Sequence, residues 1–302
     1  MDIDAVAVFV EAAATGSLSG AARRLGISPM LASRRLVALE RELGVRLLHR
    51  TTRASSPTPE GEAFLPFAET MLDSAATGRA LLRSASTGAA GRLRVSTSVM
   101  FGRRIVLPLI GPLLAANPEL AIDLQLSDLP SDIVGSGLDL AIRIAPLAEN
   151  GLVARRLAPS PRLLVAAPAY LARRGAPTRL ADLRDHDCLP LSETTQWSFL
   201  REGRETRIGV AGRFASNTID AIYETCLAGL GLAILAEWNI AEDIATGRLI
   251  PIRLDDAAPS ALAIWAVYPT ARQVLPKTRV FIAALEQRLS ELGLKTAATF
   301  SG

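Results

Sequence analysis

The chain has 302 residues, 49% of them hydrophobic and 21% charged, with a formal net charge of +3. That length exceeds one ordinary domain, and that hydrophobic fraction excludes a disordered chain. Two cysteines, Cys188 and Cys226, give no disulfide framework or metal cluster, and two histidines, His49 and His186, leave few candidates for a nucleophile–histidine–acid triad.

The opening Met1-Asp-Ile-Asp carries acids and runs straight into a helical pattern, without the blocks of a signal peptide. A helix is predicted over Leu18 to Leu25, with Ala21 and Ala22 small enough for close helix approach. Gly26 follows, where a positive φ is often needed. Ser28 is a favoured N-cap, and Pro29 suits the first helical position. On a wheel for residues 29 to 43, Ala32, Leu36, Leu39 and Leu43 fall on one side. Met30, Ser33, Arg34, Val37 and Arg41 fall on the other. This is the pattern of a helix-turn-helix with a recognition helix that enters a DNA groove. Two core helices of an unrelated α-helical domain are the alternative at this point.

Between Arg23 and Arg53 lie eight arginines against Glu40 and Glu42, a local charge of +6 that leaves −3 for the rest. Such a footprint suits phosphate contacts, although a solvated basic face has the same composition. The only lysines are Lys277 and Lys295, and guanidinium forks suit phosphates and guanine edges. Val45 to Leu48 is predicted as a short strand and Arg50 to Ser56 as a loop, together a wing beside the recognition helix. Pro57 confines the returning strand to a short or edge position.

Thr58-Pro59 is another N-cap with a first-turn proline, and a helix is expected to about Ser84. Phe64, Ala68, Met71, Ala75, Gly78 and Leu82 recur at alternating spacings of four and three, a stripe that suits a partner helix or packing on the chain's own domain. Pro66 and Gly78 predict a kinked, weak seam, and Ser84 to Gly91 a flexible joint. From Leu93 strands alternate with helices. Strands are expected at Leu93–Ser96, Ala121–Leu126, Leu138–Ile144, Arg162–Ala167, Leu232–Leu235 and Ala261–Tyr268. Helices are expected in Val99–Asn117, Ser131–Ser136, Pro168–Arg174, Thr218–Ala228 and Lys277–Leu292. This alternation argues for α/β sheets. The apolar run Leu227 to Leu235 is too short for a membrane span and contains glycines.

The chain resembles the LysR-type transcriptional regulators essentially end to end. The residues that carry the resemblance are Phe9-Val, Gly16-Ser-Leu, Ala21-Ala-Arg-Arg-Leu, Ser28-Pro, Ser33-Arg, Leu39-Glu, Leu43-Gly-Val-Arg-Leu-Leu-His-Arg-Thr-Thr-Arg and Thr58-Pro-Glu-Gly. It implies an α+β multidomain fold: an N-terminal winged helix-turn-helix over 1–57, a linker and dimerisation helix with hinge over 58–90, and an effector-binding domain over 91–302. The last would form two α/β subdomains resembling a periplasmic binding protein, I over 91–160 and 269–302 and II over 161–268. The chain would cross near Ser160 and Tyr268. The resemblance places Ser28, Pro29, Met30, Ser33 and Arg34 at the groove and Arg50, Thr51 and Arg53 in the wing. It places Phe64, Ala68, Met71, Ala75 and Leu82 in an antiparallel dimer seam. Met30 stands where the family often has Ser or Pro, and Ala32 where it often has Val, so base preference does not carry over.

In open α/β folds ligands lie beyond the carboxyl ends of strands, near helix N-termini. Thr97-Ser98-Val99-Met100 and Ser216-Asn217-Thr218 are two such places; read alone they are equally ordinary N-caps, and the resemblance turns them into effector contacts. Asp128, Leu129 and Arg143 are further candidates, with Trp197 and Phe199 as walls or core. The function expected is a sequence-specific transcriptional regulator, cytoplasmic, modulated by a small organic anion such as a carboxylate. Its expected partners are double-stranded promoter or operator DNA, the effector and a second copy as homodimer or homotetramer. RNA polymerase is a further candidate, and no membrane, cofactor, metal or catalytic residue is expected. The alternative is a ligand-binding protein or enzyme of the same fold without regulatory DNA binding. There is no glycine-rich phosphate loop to favour an enzyme, and His186, among acidic neighbours, reads as structural.

Overall fold

The N-terminal unit is set by how its three helices begin and end. The computed structural model describes residues 1–50, 55–83, 89–129, 133, 135–146, 153–192, 194, 196–268 and 274–294. Helix α1 (Ile3–Thr15) starts at Asp2, whose carboxylate accepts the Asp4 N–H, and stops at Gly16 with φ 62°. Helix α2 (Leu18–Arg24) is capped by Ser17, and Gly26 with φ 65° turns the chain toward the next helix. In α3 (Pro29–Leu43) the Ser28 hydroxyl accepts the Leu31 N–H at 3.2 Å, with Pro29 in the first turn and Gly44 in the left-handed region at the end. The facing sides of these helices, Val6, Phe9, Ala12, Ala21, Ala22, Ala32, Leu36 and Leu39, form one buried cluster. The predicted turn and helix faces are therefore the observed ones.

The wing is a two-stranded antiparallel hairpin of β1 (Leu48–Arg50) and β2 (Ser55–Pro57), so the strand lies C-terminal to the expected Val45–Leu48. The cause is Glu40. Its buried carboxylate accepts the N–H groups of Leu47 (3.0 Å) and Leu48 (3.3 Å), which holds the approach to the hairpin against α3 and leaves Val45 exposed. The Ser55 N–H donates to the Gly16 carbonyl at 2.8 Å and ties the wing to α1. The wing tip, with Thr51 and Arg53, lies outside the described residues.

Helix α4 (Pro59–Arg83) runs through Pro66 and Gly78 as one helix that ends one residue short of the expected Ser84. Thr58 caps it: its Oγ1 accepts the Gly61 N–H at 3.0 Å and donates to the Arg46 carbonyl at 2.6 Å. Its first turn sits so close to the wing that a Cβ on Gly61 would lie 2.1 Å from the Leu47 carbonyl oxygen. The stripe predicted for a partner helix is partly used within the chain. Ala68 is fully buried, Phe64 and Met71 pack on the same cluster, and the Phe9 and Phe64 rings lie 5.8 Å apart. Ala68 is thus a core residue of its own unit, and Phe64 and Met71 are half-buried against it. Ala75 is half-buried, and the side chain of Leu82 lies outside the described residues.

The C-terminal part opens with β3 (Gly91–Thr97), followed by a continuous helical stretch: α5 (Val99–Phe101), a π-helical turn (Gly102–Val106) and α6 (Leu107–Ala116). Then come β4 (Leu120–Leu126), β5 (Leu140–Ala145), β6 (Val153–Ser160), β7 (Arg162–Ala166), α7 (Pro168–Arg174), β8 (Gln196–Arg201) and β9 (Arg204–Gly209). The chain continues with α8 (Ile219–Leu227), β10 (Ala233–Ala236), α9 (Glu237–Ala245), β11 (Ile250–Ile252), β12 (Ala258–Pro259), β13 (Leu262–Tyr268) and α10 (Pro276–Glu291). Half of the helix expected over Ser131–Ser136 falls outside the described residues, and 133 and 135–137 are turn.

Two lobes result. In the first, a sheet of order β4-β3-β5-β13-β6 has β3 parallel to β4 and β5, and β13 antiparallel to β5 and β6. The second holds antiparallel β10-β7-β11 and β12-β8-β9. The outward crossing falls at Ser160, as expected. The return does not fall at Tyr268: β13 already pairs in the first sheet, so the chain comes back between Pro259 and Leu262. The stretch Val99–Ala116 is long and apolar enough to cross a membrane; here Phe101, Ile105, Val106 and Leu113 bury into the first lobe's core.

The first lobe also grips α4. Arg94, with 9% side-chain exposure, donates to Glu69 at 2.8 Å, and Gly137 lies against Pro66 and Thr70. Behind Arg94, the fully buried Lys277 donates to Asp139 at 2.9 Å, and Asp139 also accepts the Arg94 N–H at 2.8 Å. Helix α4 is thus seated on both the winged unit and the sheet of the first lobe.

Candidate functional site

The outer face of α3 is the first site. Met30 is 75% exposed, and Arg34, Val37 and Arg41 are exposed beside it, with Ser33 half-buried and Ser28 and Pro29 exposed at the helix start. Two arginines of the basic footprint have structural duties: Arg35 pairs with Asp4 at 2.7 Å and Arg24 with Glu11 at 3.1 Å. Of the two acids counted there, Glu40 faces inward, and Glu42 meets the chain's own N-terminal ammonium at 2.8 Å. Arg34 has no ion-pair partner among the described residues. A positive, solvent-facing helix surface with the wing at its side is the arrangement that enters a major groove.

The second site lies between the lobes. The two predicted helix starts do come together, and a residue of the chain already joins them. Asp128 Oδ1 accepts the Val99 N–H at 3.1 Å, and the Ile219 N–H at the start of α8 lies close enough to favour the charged carboxylate. The place predicted for an effector anion is therefore occupied by the chain's own carboxylate, which reads helix dipole and free N–H groups as an incoming anion would. Thr218 caps α8 through Ala221 N–H, and Ser216 Oγ accepts the Thr218 N–H at 3.2 Å, so both are ordinary caps. Met100 is buried in the second lobe's core. Thr97 is buried, Ser98 and Val99 half-buried, and Asn217 and Leu129 exposed. Arg143 turns to the Ser96 hydroxyl at 3.3 Å.

Other contacts clamp the lobes. The π-helical turn carries Arg103 and Arg104 across: Arg104 donates to the Asn239 carbonyl at 2.6 Å and lies 5.1 Å over the Tyr223 ring, and Arg103 lies 3.6 Å from Asp220. Phe101 meets Trp238 edge to face at 5.3 Å.

Desolvation raises the Asp128 pKa above the usual 3.8, outweighing the two N–H groups, and Oδ2 is buried without a partner among the described residues. A raised carboxyl pKa contributes most to stability at low pH, and that contribution is lost as pH rises through the raised value. Asp128→Asn keeps one acceptor and removes the desolvated charge. Its melting temperature should match wild type in acid and exceed it progressively as pH climbs past 3.8. Asp128→Ala, losing the cap at Val99, should cost ~1–2 kcal/mol. An asparagine variant less stable than wild type at pH 7 would refute this reading.

The open space is elsewhere. A cavity of ≈ 970 Å³ lies between Ile144–Pro146 of the first lobe and Leu189, Leu191, Gln196–Ser198, Ile222 and Ile234 of the second. None of the ten predicted effector residues lines it. Ile144 and Ile219 do, each one residue from a prediction; on β5 alternate side chains leave opposite faces, so Arg143 turns from the cavity that Ile144 faces. Trp197 lines the cavity, while Phe199 is core. Sequence reasoning missed Arg162, which lines the cavity with its Nε donating to the Ser260 carbonyl at 2.7 Å. Burial lowers its pKa, against an opposing effect of Glu205. Ser260 Oγ is buried without a partner among the described residues.

Both cysteines are buried, and desolvation pushes each thiol to about 12, so neither has the thiolate character of a reactive cysteine.

A winged helix-turn-helix on a long helix, joined to a two-lobed domain with a central cavity, defines an effector-responsive DNA-binding regulator. The chain belongs to the LysR-type transcriptional regulators. Residues 3–62 match the bacterial regulatory helix-turn-helix protein, lysR family, and residues 86–290 the LysR substrate binding domain. It is 33% identical to the HTH-type transcriptional regulator DmlR of Escherichia coli K12, over 94% of this chain and 93% of that protein. It is 31% identical to the probable regulator LtrA of Klebsiella pneumoniae, over 95% and 94%. Among solved structures, CrgA, a LysR-type regulator of Neisseria meningitidis, is similar with TM-score 0.60 and 29% identity, covering 97% of this chain and 99% of that one. The full-length virulence activator AphB of Vibrio cholerae is similar with TM-score 0.58 and 26% identity, covering 94% and 98%.

Proposed function

We propose that the cavity between the lobes is the effector chamber, that its ligand is a small organic anion, and that ligand binding alters how paired α3 helices are set on operator DNA. The observation that carries this is the ≈ 970 Å³ cavity, mostly apolar, with the half-buried Arg162 in its wall. Its lining holds two arginines, Arg162 and Arg207, against Glu205, so the balance favours an anion. An apolar chamber with few polar groups suits a hydrocarbon or aromatic body carrying one carboxylate. A bidentate pair with Arg162 would orient it, and Ser260 Oγ would donate to it. Since Asp128 holds the helix starts, they support the closed lobes rather than the ligand.

In this reading the protein works in the cytoplasm. Its partners are operator DNA, the effector, a second copy through the end of α4 beyond Met71, and RNA polymerase at promoters it activates. The effector shifts a population between two lobe arrangements. The test uses the full-length chain and an operator obtained by in vitro selection. Arg162→Met, which removes the cation from the chamber wall, combined with Leu191→Trp, which narrows the chamber, should abolish the change in DNA binding caused by cell-extract metabolites or a carboxylate panel, while ligand-free DNA affinity stays within about twofold. An effector response that survives the double substitution would place the ligand outside this cavity.

A further inference from the structure

On the outer face of α3, Met30 is 75% exposed, and Val37, two turns further on, is 36% exposed. Neither stabilises the fold from there: the buried side is Ala32, Leu36 and Leu39. The same strip holds Arg34 and Arg41, both exposed. An apolar patch set among cations fits poorly into an apolar protein partner, because the arginines would be desolvated. It fits a major groove, where phosphates flank an apolar group found on one base alone. Only thymine presents a methyl to that groove.

We propose that Met30 is a specificity-determining residue that reads a thymine 5-methyl group next to the base contacted by Arg34. The inference rests on α3 being the DNA-reading helix. Met30 and Arg34 are one helical turn apart on one face, a rise of about 6 Å, which corresponds to one or two base-pair steps of about 3.4 Å. N-terminal residues of a recognition helix reach base edges first, and Met30 is the second residue of α3. Its unbranched, flexible side chain can follow a methyl group across a step. Arg34 suits the O6 and N7 of guanine. Each half-site is thus expected to hold a guanine with a thymine within two base pairs, and Val37 gives the groove wall a second apolar contact.

The test exchanges thymine for uracil, which deletes the methyl and keeps every hydrogen bond. An operator is selected in vitro with the full-length chain, and duplexes with uracil at each half-site thymine in turn are compared by competition binding. One position should weaken wild-type binding roughly three- to tenfold, the scale of one buried methyl-sized group. Met30→Ala and Met30→Gln should bind the thymine and uracil duplexes equally at that position. Both variants should fold, since the residue faces solvent. Equal binding of all uracil and thymine duplexes by wild type would overturn the proposal, as would an unchanged uracil penalty in Met30→Ala. Failure of the underlying reading looks different: Arg34→Ala would then bind the operator like wild type.

Discussion

Arg34→Ala is expected to weaken operator binding by ~1–3 kcal/mol, the worth of a bidentate base contact, with no change in melting temperature. Arg34 is exposed and has no ion-pair partner among the described residues, so the fold loses nothing. At tenfold per ~1.4 kcal/mol, the change is readily resolved by fluorescence anisotropy. The loss should be largest on the selected operator and small on random duplex, because a base contact specifies whereas phosphate contacts position. Arg34→Lys should restore part of the affinity through charge alone, without the fork that reads two acceptors. A uniform loss on all duplexes would make Arg34 a phosphate contact, and an unchanged affinity would remove it from the interface.

Gly61→Ala should have the largest effect on stability. Its Cβ would stand 2.1 Å from the Leu47 carbonyl oxygen, a backbone atom, which is itself tied to the Thr58 N–H at 3.0 Å. No side-chain rotation relieves that overlap. Either α4 moves off the wing or the wing leaves α3. Overpacking of this kind costs ~1–3 kcal/mol and sometimes more, and the rigid neighbour argues for the upper end. Gly111→Ala, inside α6, is the control. Nothing lies within 4 Å of the added carbon, so helix propensity should stabilise by up to ~1 kcal/mol. Calorimetry on both variants tests the pair. An alanine at 61 with wild-type melting would show that the helix start is not seated on the wing.

Local chemistry made the helix-turn-helix legible. Ser28, Pro29 and Gly26 each do near the turn what their side chains or backbones favour, and the wheel separated Leu36 from Arg34 correctly. Pro168–Arg174 was read to the residue for similar reasons. Strand β6 was missed because a bulge opposite Ile264 and Trp265 breaks its alternation, leaving Arg155 and Arg156 both exposed and Leu157 and Ala158 both buried. The β8–β9 hairpin was missed because its turn, Glu202-Gly203, puts a non-glycine at φ 49° and lacks the usual Asn-Gly or Asp-Gly pair. The region between the lobes is less legible for a different reason. A sequence shows two helix starts with free N–H groups, but not that Asp128 reaches both. Nor does it show that Arg162 and Ser260, 98 residues apart, meet where the chain crosses between lobes.

The unbroken course of α4 has a mechanical consequence. Its first three turns are fused into the winged unit through Phe64, Ala68 and Met71, so the helix and the reading head move as one body. Twenty-five residues span about 37 Å at 1.5 Å per residue. A tilt of ~5° at one end therefore sweeps the other by about 3 Å, close to one base-pair step. Glu69 and Arg94 bear on this rod near its middle, so in the proposed reading a shift of about 2 Å of the first lobe there would tilt the rod by that angle and move the winged unit by about one base-pair step.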